Sequence, residues 1–392
     1  MVAYKTIAGQ AFPIGSIGKA DLRLRVQNTT EEECRAYAQL LEQSGYCKRA
    51  EKQISAGSEC PYNVNLFYTF QNDINNVFIF WDAAFHTVFI TYEPRGGIPE
   101  NQPINAESTG KVTPTVTQLR MRGMCYVIQL GNGEFIIVDG GVKQAAQEKE
   151  LYDFLKEKSG AQQPTVALWI FTHSHKDHIG LATNFLRTYK DLVMVKAFAY
   201  QFANCDKIQV AMESVDVMKA EIAELEETIH SAYTTAEIYT LHTGQSYFFA
   251  GLELEVLYSL DDTYPYPYLS FNDTSAAFRV TFKSGKNMLF LGDCQNEACK
   301  KIAARYGDYL KSDTLQLSHH GLIGGDKGLY KLIDPDVCFW AVSKNRFLGK
   351  TPNQTYQWCL GEGGCDYNAY LRDPLIRKRT HYHASVTTTV DE

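Results

Sequence analysis

Three features are missing from the 392-residue sequence, and each absence excludes a class of protein. No apolar run approaches the roughly 20 residues that cross a bilayer, so no membrane partner is expected. The first residues, Met1 to Thr6, lack the charged and apolar segments of a secretory signal. The ten cysteines are scattered without a Cys-x-x-Cys pair, which argues against a zinc ribbon or a disulfide framework. We therefore expect a globular protein of the reducing cytoplasm.

A surplus of basic residues is also missing. Lys and Arg number 38 against 45 Asp and Glu, and the formal net charge is -7. Nonspecific nucleic-acid binding needs a surplus of Lys and Arg on one face, so extended nucleic-acid binding is not expected. The hydrophobic content of 45% and the charged content of 21% are ordinary for a globular chain. The length exceeds what one core usually organises, which favours two units of unequal size.

Residues 1–95 have the pattern of a small α+β domain. Apolar positions recur at helical spacing from Glu31 to Gln43. Aromatic and β-branched residues predict a short antiparallel sheet from strands near 64–70, 76–81 and 86–92. Residues 96–117 are rich in Pro and Gly and predict a linker. Whether the N-terminal unit binds a partner, shapes a cleft or mediates homo-oligomerisation stays open.

Residues 118–392 mix hairpins with strand-helix units. Two apolar runs flank Gly131-Asn132-Gly133, a strong hairpin signal because Asn-Gly tolerates positive φ. Helical patterns lie near 145–158, 179–189, 208–229 and 296–306, and strands are predicted near 166–171, 192–200, 238–241, 252–257, 276–282, 288–291 and 314–317. This order predicts a mixed α/β fold, in which layered α+β sheets are flanked by helices. It does not fit a doubly wound parallel sheet.

Four potential metal ligands lie within six residues, directly after the apolar strand at 166–171: His173, His175, Asp177 and His178. With ten histidines in 392 residues, such a cluster is not expected by chance. Alternation along an extended loop places the first three on one side, and His178 begins the next helix, where it can turn toward a second ion. Imidazole and carboxylate ligands together suit zinc, manganese or iron.

This His-x-His-x-Asp-His run resembles the signature of the metallo-β-lactamase superfamily. The strand that ends at Asp139-Gly140-Gly141 resembles the superfamily's first motif, whose aspartate supports the metal site from behind the ligands. The run from Leu289 to Asp293 is similar to the later strand whose terminal aspartate bridges two metals. Ser318-His319-His320-Gly321 resembles the closing histidine motif. The resemblance covers about residues 118–321 and implies a metallo-β-lactamase αββα sandwich, here with a small N-terminal α+β domain.

The resemblance also implies a division of roles and two divalent metal ions, with zinc expected first and manganese or iron as alternatives. The implied ligand sets are His173 and His175 for one ion, and Asp177, His178 and His320 for the other, with Asp293 bridging them. Asp177, Asp293 and His319 are the expected catalytic residues, and His319 is expected to face the substrate pocket.

A finer resemblance rests on the His-His-Gly ending and on the segment Asn272-Asp273-Thr274-Ser275. Both are similar to the subgroup of the ComEC hydrolase domain and phosphorylcholine esterases, which implies phosphodiester or phosphoryl ester hydrolysis by a metal-bound hydroxide. The Tyr-rich loop at 264–268 has two open interpretations: its rings line the substrate pocket, or it is a surface loop ordered by its prolines. One departure stands out, because the superfamily often has another metal-binding histidine between the cluster and Asp293. Only His230 and His242 lie in that interval, and neither matches comfortably.

Three alternatives to phosphoester hydrolysis are compatible with this scaffold. Acyl-bond hydrolysis, as in lactamases or thioesterases, uses the same nucleophile, and ligand spacing does not separate the two. Redox chemistry at a di-iron site is disfavoured, because His175 stands where flavodiiron relatives carry a glutamate and no flavin domain follows. A noncatalytic binding protein that kept the scaffold is the third.

Overall fold

A computed structural model describes residues 15–16, 22–57, 63–98, 112–207, 215–263, 270–321, 324–325, 327–342, 380–382 and 386–389. The Tyr-rich loop at 264–268 lies outside the described residues, as do most of the predicted linker and the start of the helix predicted over 208–229. No helix in these described ranges is long and apolar enough to cross a membrane.

In the first part of the chain, the described residues form an antiparallel sheet with one helix. Its elements are β1 (Gly15–Ser16), β2 (Leu22–Gln27), α1 (Glu31–Gln43), β3 (Cys47–Ser55), β4 (Val64–Gln71), β5 (Asn75–Asp82) and β6 (Thr87–Pro94). The strand order is β1-β2-β6-β5-β4-β3. Helix α1 begins at Thr30, whose hydroxyl accepts from the Glu33 N–H while the Glu33 carboxylate accepts from the Thr30 N–H. Its apolar side packs on one face of this N-terminal sheet.

A second sheet and three helices follow. Their elements are β7 (Thr115–Gln118), β8 (Tyr126–Gln129), β9 (Phe135–Val138), α2 (Ala145–Ser159), β10 (Thr165–Ile170), α3 (Lys176–Thr188), β11 (Met194–Val195), β12 (Ala197–Tyr200), α4 (Val215–Ala232) and β13 (Glu237–Thr240). The strand order is β13-β12-β10-β9-β8-β7, with β11 also beside β10. The strand predicted over 192–200 is therefore two short strands, both parallel to β10.

A third sheet follows in the described part of the chain. Its elements are β14 (Ser246–Phe249), β15 (Leu252–Tyr258), β16 (Ala277–Phe282), β17 (Asn287–Phe290), α5 (Asn296–Tyr306), β18 (Thr314–Gln316), α6 (Lys327–Ile333), β19 (Val337–Trp340) and β20 (Thr380–Tyr382). The strands are ordered β14 to β20, antiparallel up to β17 and parallel from there. The last strand, β21 (Val386–Thr389), pairs with β7 of the second sheet.

The second and third sheets pack face to face between helices. Ile136 and Val138 of β9 face the third sheet, whereas Phe135 and Ile137 on the same strand face helices α2 to α4. This alternation is the period-two pattern of a strand buried on both sides. The predicted αββα sandwich is confirmed.

The N-terminal sheet forms a further layer on the outside of the third sheet. Its Phe67, Phe80 and Phe89 belong to the same buried apolar cluster as Leu257, Leu289 and the residues of α5 and α6. Arg305 of α5 also donates to Asp82 of β5 at 2.7 Å, and both side chains are only 1% exposed. Since a buried charge is costly without its partner, this pair ties the two layers together.

Several strands in the structure have no clear counterpart in the sequence pattern. Strand β3 has mostly exposed or half-exposed polar side chains, and only Ile54 is buried. It is an edge strand ordered by its pairing with β4, which local hydrophobic periodicity does not report.

His242 lies between the N-terminal sheet and the sandwich. Its ring is fully buried, stacks on Phe78 with centroids 3.9 Å apart, and donates from Nδ1 to Asp261 at 2.8 Å and from Nε2 to Glu93 at 3.2 Å. Burial alone would lower the pKa of His242, but the two carboxylates raise it to about 9. The residue is therefore an imidazolium in a buried ion network.

This network predicts a pH-dependent stability. The folded pKa of about 9 exceeds the unfolded value of about 6.5, so the imidazolium stabilises the fold fully below about pH 6.5, and the stabilisation is lost as the pH rises through 9. His242→Gln should cost more unfolding free energy at about pH 6 than at about pH 9.5, by on the order of 2–3 kcal/mol. Urea unfolding in chelator measures it, with the exposed His230→Gln as control. An equal cost at both pH values would contradict the assignment.

Candidate metal centre

The predicted site residues follow the carboxyl ends of four strands. Asp139 follows β9, His173 to His178 follow β10, Asp293 follows β17, and His319-His320 follow β18. Strands β9 and β10 are parallel, as are β17 and β18, so each sheet presents two loops at one edge. The sandwich brings these two edges together.

The structure assembles two groups of three donor residues, each with ligand atoms within 4.8 Å of one another: His173, His175 and Asp293, and Asp177, His178 and His320. The first group joins both sheets through Asp293, and the second through His320. In the first group, His173 Nε2 and His175 Nδ1 are 2.9 Å apart. Two nitrogens bound to one tetrahedral zinc at about 2.0–2.1 Å each lie about 3.3 Å apart, so a small outward movement of the rings would fit both to one ion.

Asp293 lies between the two groups. Its Oδ2 is 3.8 Å from His173 Nε2 in the first group, and 3.2 Å from His178 Nε2 and 3.5 Å from His320 Nε2 in the second. His319 Nε2 is also near, at 3.9 Å, but His319 belongs to neither group and its side chain is 19% exposed. This arrangement favours His320 as the ligand and leaves His319 facing outward.

Asp139 orients the ligands from behind. The His178 Nδ1–H donates to its Oδ2 at 2.8 Å, which leaves Nε2 directed at the site. The Thr172 hydroxyl donates to the same oxygen at 2.9 Å and accepts from His173 Nδ1 at 3.1 Å, so it fixes the tautomer of His173 as well. Such contacts hold ligand rings in place and raise their basicity.

The donor set fits a divalent cation. Among the described residues, His178 Nε2 and His320 Nε2 have no hydrogen bond beyond their ion-pair contacts with Asp293 and Asp177, and the buried Asp293 Oδ1 has none. His320 donates its other nitrogen, Nδ1, to the Ala341 carbonyl at 3.0 Å. Because buried polar atoms are normally paired, orphaned imidazole and carboxylate atoms that converge on one point are what a metal site requires.

The electrostatics of the protein groups show strong coupling. Burial alone would raise the pKa of Asp293, but His178 and His320 hold it well below its ordinary value. Burial would likewise lower the pKa of His320, and Asp293 instead raises it to about 9. The pKa of His173 is well below its usual range because of burial and of the neighbouring His178. Metal binding would displace the protons on the ligand histidines, so affinity should weaken in acid.

The closing motif adopts an uncommon backbone conformation. His319, His320 and Gly321 have consecutive positive φ angles of 47°, 56° and 70°. The left-handed region costs about 1–2 kcal/mol for each non-glycine residue. The His319 N–H donates to the Gly292 carbonyl at 3.0 Å, which holds this turn against the loop that carries Asp293.

Sequence reasoning assigned no role to the residues that hold the Asp293 loop. Gln316 accepts from the N–H groups of Leu291 and Gly292, both at 2.8 Å, and Ser275 Oγ accepts from the Asp293 N–H at 3.1 Å. Asp273 Oδ1 accepts from the Gln295 N–H at 2.9 Å. Gln316 could have been suspected as a polar residue within an apolar strand, but its partners are set only by the fold.

Neither of the two histidines between the His173 to His178 run and Asp293 reaches the site. His230 is exposed near the end of α4, and His242 lies in the ion network with Asp261. Among the described residues, the first group contains no third histidine.

Residues 120–236 match the sequence model of the metallo-β-lactamase superfamily. The chain has the layered metallo-β-lactamase fold, with the His173 loop inside the matched segment. Asp293 and His320 lie beyond the matched segment, and the structure alone brings them to the His173 loop.

Solved structures of this fold resemble the chain only distantly, and no curated protein matches. The chain is similar to CmlA, a diiron β-hydroxylase from Streptomyces venezuelae, at 10% identity and a TM-score of 0.34 over 63% of this chain and 45% of that one. A metallo-β-lactamase with a HARLDQ motif from Cronobacter sakazakii is 11% identical, with a TM-score of 0.30, over 64% of this chain and 86% of that one. MEM-A1, a subclass B3 metallo-β-lactamase from a soil metagenome library, is 14% identical, with a TM-score of 0.33, over 55% of this chain and 83% of that one.

The role of Asp139 can be tested with Asp139→Asn. Asparagine also tolerates the left-handed backbone at φ 57°, so the substitution removes charge with little change of shape. We expect the Kd for Zn²⁺ to rise by about 10–100-fold, as when the hydrogen-bond partner of a ligand is lost. Chelator competition measures the Kd, and Asp153→Asn, at an exposed position of α2, is the control. An unchanged Kd would argue against orientation by Asp139.

The closing turn can be tested with Gly321→Ala. A Cβ there would lie 2.0 Å from Trp340 Nε1, whereas at Gly285, with φ 87°, no described atom lies within 4 Å of the added carbon. Gly285→Ala should cost about 1–2 kcal/mol through backbone strain alone. Gly321→Ala should cost about 1–3 kcal/mol more through the clash and should also weaken Zn²⁺ binding by moving His320. Equal losses of unfolding free energy in urea would show that the turn is not tightly packed.

Proposed function

We propose that the chain is a two-metal hydrolase of phosphodiester or phosphoryl ester bonds, with zinc as the expected metal. The observation that carries the proposal is the convergence of six donor residues from two sheets, with Asp293 between the two groups. The preference for phosphoesters rests on the similarity of the His-His-Gly and Asn272 to Ser275 motifs to the ComEC hydrolase domain and phosphorylcholine esterases.

Each protein residue has a distinct part in this proposal. His173 and His175 would hold the first cation, and Asp177, His178 and His320 would hold the second. Asp293, which lies between the two groups, would contribute to both sites. Bound cations supply Lewis acidity and a nucleophile from water near neutral pH.

His319 and Asp139 complete the proposed machinery. His319 lies 3.9 Å from Asp293 and is partly exposed, so its ring can contact a substrate oxygen and donate a proton to the leaving group. Asp139 is fully buried and keeps the Nδ1 proton on His178. The first cation would have only His173, His175 and Asp293 from the protein, which leaves positions for water and substrate.

Metal content and a substrate panel test this proposal together. The purified chain should hold about two equivalents of zinc and hydrolyse bis(p-nitrophenyl) phosphate, and a chelator should abolish turnover. Asp293→Asn should lower kcat/KM by more than about a hundredfold, since removing even a partner of a ligand costs up to that much. His230→Gln, far from the site, is the matched control.

Other outcomes point to the alternatives. Turnover of a thioester or a lactam without any phosphodiester activity would replace the proposal by acyl-bond hydrolysis. Iron content with oxygen-dependent activity would favour redox chemistry. A chain that binds no metal would be a noncatalytic protein on this scaffold.

A further inference from the structure

Asp261 lies at the edge of the third sheet that carries Asp293, which is called the metal-bearing edge because the candidate ligands lie there. It follows β15, in the short 3-10 turn Leu260–Thr263. Strands β15 and β17 are both antiparallel to β16, so they run in the same direction and end at the same edge. Asp293 follows β17 at that edge. The Asp261 side chain is buried and belongs to neither metal-ligand group.

The carboxylate of Asp261 joins all three sheets. From the N-terminal sheet, Arg23 of β2 forms an ion pair with Oδ1 at 3.3 Å and Thr91 of β6 donates to it at 3.5 Å. From the second sheet, Gln201 after β12 donates to Oδ1 at 3.3 Å, and His242 after β13 donates to Oδ2 at 2.8 Å. Strands β12 and β13 are parallel to β10, so these two residues lie at the same edge as the His173 loop.

The next residue makes a parallel connection. Asp262 Oδ1 is 2.6 Å from Arg305 Nη2, and the same guanidinium holds Asp82 of the N-terminal sheet at 2.7 Å. Arg305 is the next-to-last residue of α5, so it reaches this edge of the third sheet through Asp262 and not through the start of the helix. Two adjacent buried carboxylates therefore connect the N-terminal sheet to both metal-bearing edges.

We propose that the N-terminal sheet helps to hold the proposed metal centre together. Asp261 is the positioning residue: through its contacts, the N-terminal sheet fixes the relative position of the two sheet edges that carry the candidate ligands. The inference rests on the proposed metal centre. Ligands of each group come from both sheets, so their separation depends on how the edges are held together. A productive site needs its groups held within about 0.5 Å. Because Arg23 and His242 are buried cations, the network has little freedom to rearrange.

Asp261→Asn tests the inference in the full chain. The amide keeps the size of the side chain and removes the charge that holds Arg23 and His242. Zn²⁺ affinity, measured by chelator competition well below the unfolding temperature, should fall about tenfold, the lower end for loss of a residue behind the ligands. Unchanged Zn²⁺ affinity in a folded Asp261→Asn chain would overturn the positioning role, even if the variant unfolds at a lower temperature.

Lys52→Met is the matched control. Lys52 of β3 also ties the N-terminal sheet to β15, through Glu253 at 3.3 Å and through Glu255. Glu253 lies near the start of β15, away from the metal-bearing edge. We expect Lys52→Met to lower stability without changing Zn²⁺ affinity. A tenfold loss of affinity in this control as well would show that any contact of the N-terminal sheet matters equally, against a specific role for Asp261.

Hydrogen exchange of the wild-type chain decides the matter if Asp261→Asn does not fold. Coupling between two sites is reciprocal, so adding Zn²⁺ should slow amide exchange in β2 and β6 more than in β3. Equal changes in all three strands would overturn the inference. A wild-type chain that binds no Zn²⁺ would overturn the metal centre itself, and the inference with it.

Discussion

The carboxylate of Asp293 is buried where the two sheets of the sandwich meet, and a buried charge must be compensated. Four imidazole nitrogens lie within 3.9 Å of its Oδ2, from loops on both sheets. Each of these loops therefore has to leave its strand at a position that brings its side chain to Asp293. The relative placement of the two sheets is the constraint on which both ligand groups depend.

The residues around the ligands meet this constraint with hydrogen bonds to fixed groups. Asp139 orients His178 directly and His173 through the Thr172 hydroxyl, while Gln316 and Ser275 hold the backbone that carries Asp293. The closing turn adds two non-glycine residues in the left-handed region, a strain that the surrounding packing must offset. The left-handed conformation of this turn directs the His320 side chain inward and leaves the adjacent His319 side chain partly exposed.

The N-terminal sheet packs closely on the sandwich, although the Pro- and Gly-rich segment after it suggests a separate domain. A Pro- and Gly-rich segment precedes residue 118, and the boundary predicted there stays a prediction. Phe67, Phe80 and Phe89 nevertheless share a buried cluster with the third sheet. Separation of that sheet would expose this apolar face together with the buried Asp82–Arg305 pair. A linker-like composition therefore does not make the unit independent.

The sequence by itself indicated many of the local elements and named the residues predicted to bind metal. Apolar patterns located β4 to β6, β8 to β10, the region of β11 and β12, β13, β15 to β18 and α1 to α5, because most of these elements bury a regular face. The density of ligand types after β10 marked the site, and Asp139 and Asp293 were recognisable at strand ends. The tertiary structure alone decided how these pieces meet. It paired edge strand β3, which carries little hydrophobic signal, and placed His242 with Asp261 and Glu93 instead of with the predicted metal ligands. Those contacts join residues far apart in the chain, and their partners depend on sheet order and direction, which local patterns do not contain.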